Sequence, residues 1–260
     1  MANVKRYEIK KLGTSALEVR LSNCKWFEFF LEKEFLSRTN YIYRGHANAS
    51  WLLEPTLDRI VGKPGSPKRA QHLRSFQYAT RGRRGSTPLT ITNENDWWAL
   101  GQHHGLATPL LDWSESPFVA LYFASSSAFA NKTRRMAVWA LSKHTVEKTN
   151  KEIKKDASIE KINGRVPTVN LFSPMSDENP RLVSQRGLFT RGPNNMDLAT
   201  WMNKFHNENK YGLVKISMPT TGIEDRLKTL NRMNINYASL FPDLEGASRH
   251  CNMELGITSY

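Results

Sequence analysis

The chain has 260 residues, 37 basic against 24 acidic, for a formal charge of +13 near neutral pH, and 39% of it is hydrophobic. That composition fills a core and excludes wholesale disorder, while the charge favours polyanions such as nucleic acid, nucleotides or an acidic partner. Cys24 and Cys251 are too few and too far apart for a disulfide scaffold or a cysteine zinc site, and free thiols are expected.

No apolar run reaches the ~18 residues of a membrane span, and the amino-terminal stretch lacks the apolar core of a secretory signal. A cytoplasmic protein without a membrane partner is expected. Residues 1–20 read as an N-terminal extension and 21–260 as one domain. "SNCKWFEFFLEKEFLSR" (22–38) predicts a helix capped by Ser22, with Trp26, Phe27, Phe30, Leu31 and Phe35 among its apolar face. "NYIYRGHA" predicts a strand ending at Gly45, and "WLLEPTLDRI" a strand end with a turn at Pro55. Residues 68–80 read as a helix. From Gly62 to Asn93 there are seven basic residues and no acidic one. Lys68, Arg69, Arg81, Arg83 and Arg84 are candidate nucleic-acid contacts, the last three in "TRGRRGS", whose glycines let backbone approach a phosphate chain.

"NENDWWALGQHHG" predicts a helix capped by Asn93 or Asn95 that stops at Gly105. "TPLLDWS" reads as extended, and Ser116 followed by Pro117 starts the next helix, with Val119, Ala120, Phe123 and Ala124 inward. "MAVWALS" (136–142) reads as a strand buried on both faces, and 146–162 as a charged surface helix or loop. "RLVSQRGLFTRG" reads as a strand with a turn or bulge near Gly187, and "YGLVKISMP" (211–219) as a strand. "GIEDRLKTLNRMNI" predicts a helix burying Leu227, Leu230 and Met233, and a short helix follows Pro242. Helices and strands mix without βαβ regularity, so the class is α+β: one domain, mixed central strands with surrounding helices.

Chemistry concentrates in a few places. Arg44 ends an apolar strand beside Gly45, where a guanidinium fork grips phosphate or carboxylate, or pairs with a buried acid. His103 and His104 close a helix, facing different ways, and suit acid–base work, a phosphate contact or plain capping. Asp112, set among Leu110, Leu111 and Trp113, needs a partner, and Arg44 is the obvious one. Ser114 lacks a GxSxG elbow, and neither GxxxxGK[ST] nor GxGxxG occurs, which leaves serine-hydrolase, P-loop and Rossmann chemistry without support. No metal site is expected from the histidine spacing. Gln185 either reads a base or nicotinamide edge or satisfies backbone at a bulge. Asp243 suits the first turn of a helix, and Glu245 lies beside it.

"YRG" (43–45), "LLEPTLDR" (52–59), "QHHGLATPLLDWSESPFVALYFA" (102–124), "SQRGLF" (184–189) and "LFPDLEG" (240–246) resemble, in order, the FRG domain, a family of bacteria and their phages named for its Phe/Tyr-Arg-Gly motif. Where that family's pattern has Pro-Thr-Arg before Leu-Leu-Asp, this chain has Ala107-Thr108-Pro109. A second resemblance is to ADP-ribosyltransferases of the Arg-Ser-Glu class, and it implies a split sheet and NAD as cofactor. It makes Arg44 the phosphate grip, with Tyr43, Gly45, Gln102 and Trp113 also at the cofactor. It puts Asp112-Trp113-Ser114 in the serine-strand slot and the late acid near Gln185, or at Glu245. Three readings follow. The first is an NAD-using transferase acting on nucleic acid or protein in defence, phage conflict or as a toxin. The second is a non-catalytic nucleic-acid-binding module. The third is a metal-independent nuclease or nucleotide hydrolase using His103 or His104 with Asp112.

Overall fold

The computed structural model describes residues 6–85, 88, 90–174, 180–206 and 212–260. Its strands are β1 (Tyr7–Lys11), β2 (Ala16–Leu21), β3 (Tyr41–His46), β4 (Leu110–Ser114), β5 (Arg135–Ser142), β6 (Asn170–Phe172), β7 (Gly187–Arg191) and β8 (Leu213–Pro219). They form one sheet in the order β1-β2-β8-β5-β3-β4-β7-β6, antiparallel except where β2 lies parallel to β8. Helices surround it, so the α+β expectation of a single domain with mixed strands holds. The stretch set apart in sequence as an extension, residues 1–20, supplies β1 and all of β2 but Leu21 to this sheet.

The helices are α1 (Trp26–Glu34), α2 (Thr56–Ile60), α3 (Lys68–Ala79), α4 (Glu94–His103), α5 (Pro117–Asn131), α6 (Lys143–Lys155), α7 (Pro180–Ser184), α8 (Leu198–Phe205), α9 (Ile223–Arg232), α10 (Tyr237–Leu240) and α11 (Leu244–Gly256). Period-two alternation along β3 sends Tyr41 and Tyr43 to one face and Ile42 to the other. The first face packs on α1, α5 and α9 through Phe27, Phe30, Ala120, Ala124 and Leu227. The second packs on α6 and α8 through Val146, Ile153, Trp201 and Met202. A smaller cluster sets Leu57, Leu73 and Trp98 of α2, α3 and α4 against Leu110 of β4 and Phe189 of β7. β5 is buried on both faces, as its unbroken apolar run predicts.

Local signals explain most boundaries. Asn93 caps α4 by accepting from the Asn95 amide, and Ser116 caps α5 with Pro117 at the first turn. Five expectations change. Ser22 does not cap α1; its hydroxyl donates to the Arg6 carbonyl, and the helix begins at Trp26 after Asn23 has turned the chain through the Lys25 amide. Pro55 leads into α2 rather than ending a strand, because Leu57 and Asp58 both find buried partners. The segment before Gly187 is the helix α7 rather than strand, and the turn expected near Gly187 is where Arg186 takes a left-handed φ of 47° before β7. The charged segment begins three residues earlier than expected, at Lys143, capped by Ser142, with Val146, Thr149 and Ile153 inward. Met233 is 55% exposed, because α9 stops at Arg232 and turns away. The expected strand over 211–219 is observed as β8, and Tyr211 lies outside the described residues.

One feature of the sheet positions the site. β3 pairs with β5 from Tyr41–Ser142 through His46–Ala137, and β4 pairs with β7 along its whole length. Between β3 and β4, however, the register holds a single pair, Tyr43 with Ser114. The sheet therefore parts at a seam just beyond that pair. Gly45 sits at the seam because α5 crosses it: a Cβ there would lie 2.1 Å from the Ala120 carbonyl oxygen and 2.6 Å from the Ala124 amide nitrogen.

Candidate functional site

The seam leaves β4 carbonyls without ladder partners, and Arg44 supplies one. Its Nη1 donates to the Asp112 carbonyl oxygen at 2.7 Å and to Asp112 Oδ2 at 3.3 Å. Its Nε donates to His46 Nε2 at 3.3 Å, so His46 is an acceptor there and carries its proton on Nδ1. His46 is buried, and burial together with the Arg44, Lys215 and Arg59 cations holds its pKa down to about 3. It is a neutral ring at every physiological pH. Asp112 Oδ2 also accepts from Gln102 Nε2 at 2.7 Å, and Gln102 Oε1 accepts from the Thr108 hydroxyl. A chain of side chains from His46 through Arg44, Asp112 and Gln102 to Thr108 thus ties β3, β4 and α4 together. Arg44 Nη2 has no partner among the described residues, which leaves half of its fork for an anion.

This network forms one wall of a cleft of about 320 Å³. Tyr43, Arg44 and Gly45 enter it from β3, and Gln102 and His103 from α4. Asp112, Trp113 and Ser114 enter from β4, with Gln185 opposite. Every residue expected at a cofactor therefore lines one cavity, although β3 and β4 are 68 residues apart at the Arg44–Asp112 contact. Their parts differ. Ser114 is buried; its Oγ donates to the Gln185 carbonyl at 2.7 Å and accepts from the Ser116 amide at 3.0 Å, which makes it a brace between β4 and the β7 turn. Gln185 Nε2 donates to the Leu240 carbonyl at 3.0 Å. Trp113 Nε1 donates to Thr190 Oγ1 at 2.8 Å. Burial, then the neighbouring Tyr41, pushes the Tyr43 phenol up to about 12, so it is a neutral wall.

The two histidines part company, as adjacent helical positions must. Their rings meet edge to face at 4.6 Å, but His103 lines the cleft while His104 is exposed on an adjoining groove. Burial lowers the His103 pKa, with His104 and Arg181 adding to the effect and Asp243 and Glu245 opposing it. His103 and Asp112 share the cleft, but no hydrogen bond joins them among the described residues. Glu245 lines the groove, not the cleft. It accepts from Arg181 at 2.7 Å and pairs with Arg249 at 2.6 Å, and the Arg181 hydrogen bond keeps it ionised below its usual range. Asp243 caps α11 through the Gly246 amide at 2.9 Å and takes Arg181 Nε at 2.7 Å, the structural role its place after Pro242 suggests.

Sequence reasoning missed Arg181 and the aromatic rim. Arg181 borders both cleft and groove, its guanidinium 4.8 Å from the Phe241 ring centroid. Burial opposes its charge, and the two carboxylates more than restore it. Phe241 meets Phe123 edge to face at 6.0 Å. The available signal was Pro180, a helix-starting residue directly before Arg181.

The basic residues do not form one patch. Arg69 is buried, not a surface contact: Nη1 donates to Asp58 Oδ1 at 2.7 Å, and Nη2 to the Val61 carbonyl and to Asn195. It cannot reach a phosphate without breaking a buried ion pair. Lys68 is exposed but opens α3, whereas Arg81, Arg83 and Arg84 follow its far end, ~18 Å away along a helix of this length. Ser86 of "TRGRRGS" lies outside the described residues. Among the described residues no group of three His, Cys, Asp or Glu side chains could hold a metal, and no helix is long and apolar enough to cross a membrane.

Residues 39–133 match the family model of the FRG domain. No curated protein and no solved structure matches the chain. The matched stretch holds Arg44, His46, Gln102, His103, Asp112 and Ser114, while Arg181, Gln185 and Phe241 complete the cleft from beyond it. The FRG-domain match thus lies over residues 39–133, and that stretch supplies most of the residues that line the cleft.

Proposed function

We propose that the cleft binds NAD and that the protein is an ADP-ribosyltransferase-like enzyme. The observation that carries this reading is the meeting of three distant segments at one seam. The Arg44 strand, the Asp112-Trp113-Ser114 strand and the Gln185 turn are the segments that the resemblance to Arg-Ser-Glu transferases names, and all three line one cavity. A volume of about 320 Å³ lies in the range of small-molecule sites. Arg44, oriented by His46 and Asp112, offers its second terminal amine to the diphosphate. Phe123 and Phe241 offer ring faces to nicotinamide.

In such a reaction the bond from ribose C1′ to the nicotinamide nitrogen breaks and its electron pair leaves with nicotinamide. The acceptor's lone pair then forms the new bond to C1′, and the acceptor loses a proton. The cation-like ribose needs a nearby anion. Glu245 lies in the adjoining groove and not in the cleft, so Asp112, which also pairs with Arg44, is the cleft's carboxylate for that task. His103, kept neutral near pH 7, takes the acceptor proton.

The test is heat-shift and calorimetric titration of NAD into the wild type and Arg44→Ala, with nicotinamide release measured alongside. NAD at about 100 times its Kd adds about 2.7 kcal/mol of stability. The expected result is a wild-type shift that Arg44→Ala abolishes. No shift in the wild type overturns the reading.

A further inference from the structure

A second cavity, of about 560 Å³, lies between α3 and α4. Phe76 and Thr80 line it from the α3 side and Leu100 and His104 from the α4 side, with Arg83 and Arg84 also in its lining. Trp97 Nε1 donates to the Ile91 carbonyl at 3.2 Å, Phe76 meets the Trp97 ring edge to face at 6.5 Å, and the Arg84 guanidinium lies 5.2 Å from that ring's centroid. The flanking segment from Gly62 to Asn93 carries no acid. Glu94, the next residue, is already neutralised by Arg165 at 3.2 Å and Arg191 at 2.9 Å. His104 also lines the groove that holds His103, Arg181 and Phe241, and these three border the cleft. The arginine-lined cavity, the groove and the cleft are therefore successive stations along one surface.

We propose that the cavity between α3 and α4 is a nucleotide-binding subsite for single-stranded nucleic acid. The base lies against Phe76 and Leu100, the phosphate sits on Arg83 and Arg84, and the strand continues past His104 toward the cleft. An acidic peptide would use the two arginines alone and gain nothing from an aromatic-walled recess. A nucleotide uses both, through base stacking and charge. The two arginines lie at the end of a helix on a turn, where they follow a backbone of variable shape. That this strand is the acceptor of the transfer rests on the reading of the cleft given above; the subsite itself does not.

The experiment is fluorescence anisotropy of the full chain with a labelled deoxythymidine dodecamer, within the ~4–16 nucleotides that such sites span. It is repeated with an abasic dodecamer of equal charge, with polyglutamate as competitor, and with the Arg83→Ala/Arg84→Ala variant. Each phosphate contact on a single strand adds about 0.7 to the slope of log K against log salt, so the double variant lowers that slope by about 1.4. The variant is expected to bind at least about tenfold more weakly, and the abasic strand roughly five- to a hundredfold more weakly than the parent. Melting temperature confirms that the variant folds, and Arg83→Ala alone, at an exposed turn, gives the same direction with half the change in slope. A variant that binds within twofold of wild type overturns the subsite. So does an abasic strand that binds as well, or polyglutamate that displaces the oligonucleotide at equal charge. Oligonucleotide binding without an NAD shift retires the reading of the cleft and leaves the subsite; an NAD shift without oligonucleotide binding does the reverse.

Discussion

The His46–Arg44 contact gives the protein an acid sensitivity that can be calculated. His46 has a folded pKa of about 3 against a free value near 6.5, because burial and the Arg44, Lys215 and Arg59 cations oppose its charge. The unfolded chain therefore binds this proton more readily than the folded one. Stability is complete above pH 6.5 and falls as pH drops from there toward 3, at about 1.4 kcal/mol per unit. Between pH 7 and pH 5 the loss from this one ring is about 2 kcal/mol. Carboxylates held low, such as Glu94 and Glu115, titrate later and contribute little over that interval. The perturbation is His46→Gln, whose amide oxygen stands close to where Nε2 accepts from Arg44. The assay is urea unfolding at intervals across pH 5–7.5. The variant loses a constant increment for the missing ring contacts with Trp51 and Trp139, but its stability is flatter with pH by about 2 kcal/mol over the window. Parallel wild-type and variant profiles would refute the reasoning, since His46 would then be charged, or exposed, in the folded state.

Two further outcomes follow from packing. Gly45→Ala drives a Cβ into the α5 backbone and costs about 2–3 kcal/mol by urea unfolding, unlike Gly62→Ala, which meets no atom; a loss under about 1 kcal/mol would mean that α5 is free to move off the seam. Asp58→Ala strands the Arg69 guanidinium in a buried setting and costs about 3–5 kcal/mol in the same assay, whereas Lys68→Ala next door changes stability by less than about 0.5 kcal/mol. Similar values for the two would show that Arg69 reaches solvent after all.

The legible parts of the fold are those that local chemistry decides. Ser116-Pro117 and Asn93 announce their helices, and the apolar run of β5 announces a strand buried on both faces. The illegible parts depend on partners distant in sequence. β1 is charged and half exposed and is held by pairing with β2, which itself pairs with β8 some two hundred residues on and buries Val19 and Leu21 in the core. Arg69 and Arg84 lie in the same basic run, yet Asp58 buries one and Trp97 stacks on the other. The cleft was legible because Arg44, Gln102, Asp112 and Ser114 sit in dense motifs. Arg181 was not, because its importance comes from Asp243, Glu245 and Phe241, which fold onto it from sixty residues away.

The single rung between β3 and β4 bears on where this domain can be cut. Among the described residues, the matched stretch, 39–133, contains only these two strands of the sheet. Excised, it keeps Arg44, Asp112 and α5 but leaves β3 without β5 and β4 without β7, with one ladder pair between the two strands. Sequence similarity thus outlines the part of the cleft that carries the motifs, while the unit that can fold and hold the cleft open also includes β5, β7 and β8.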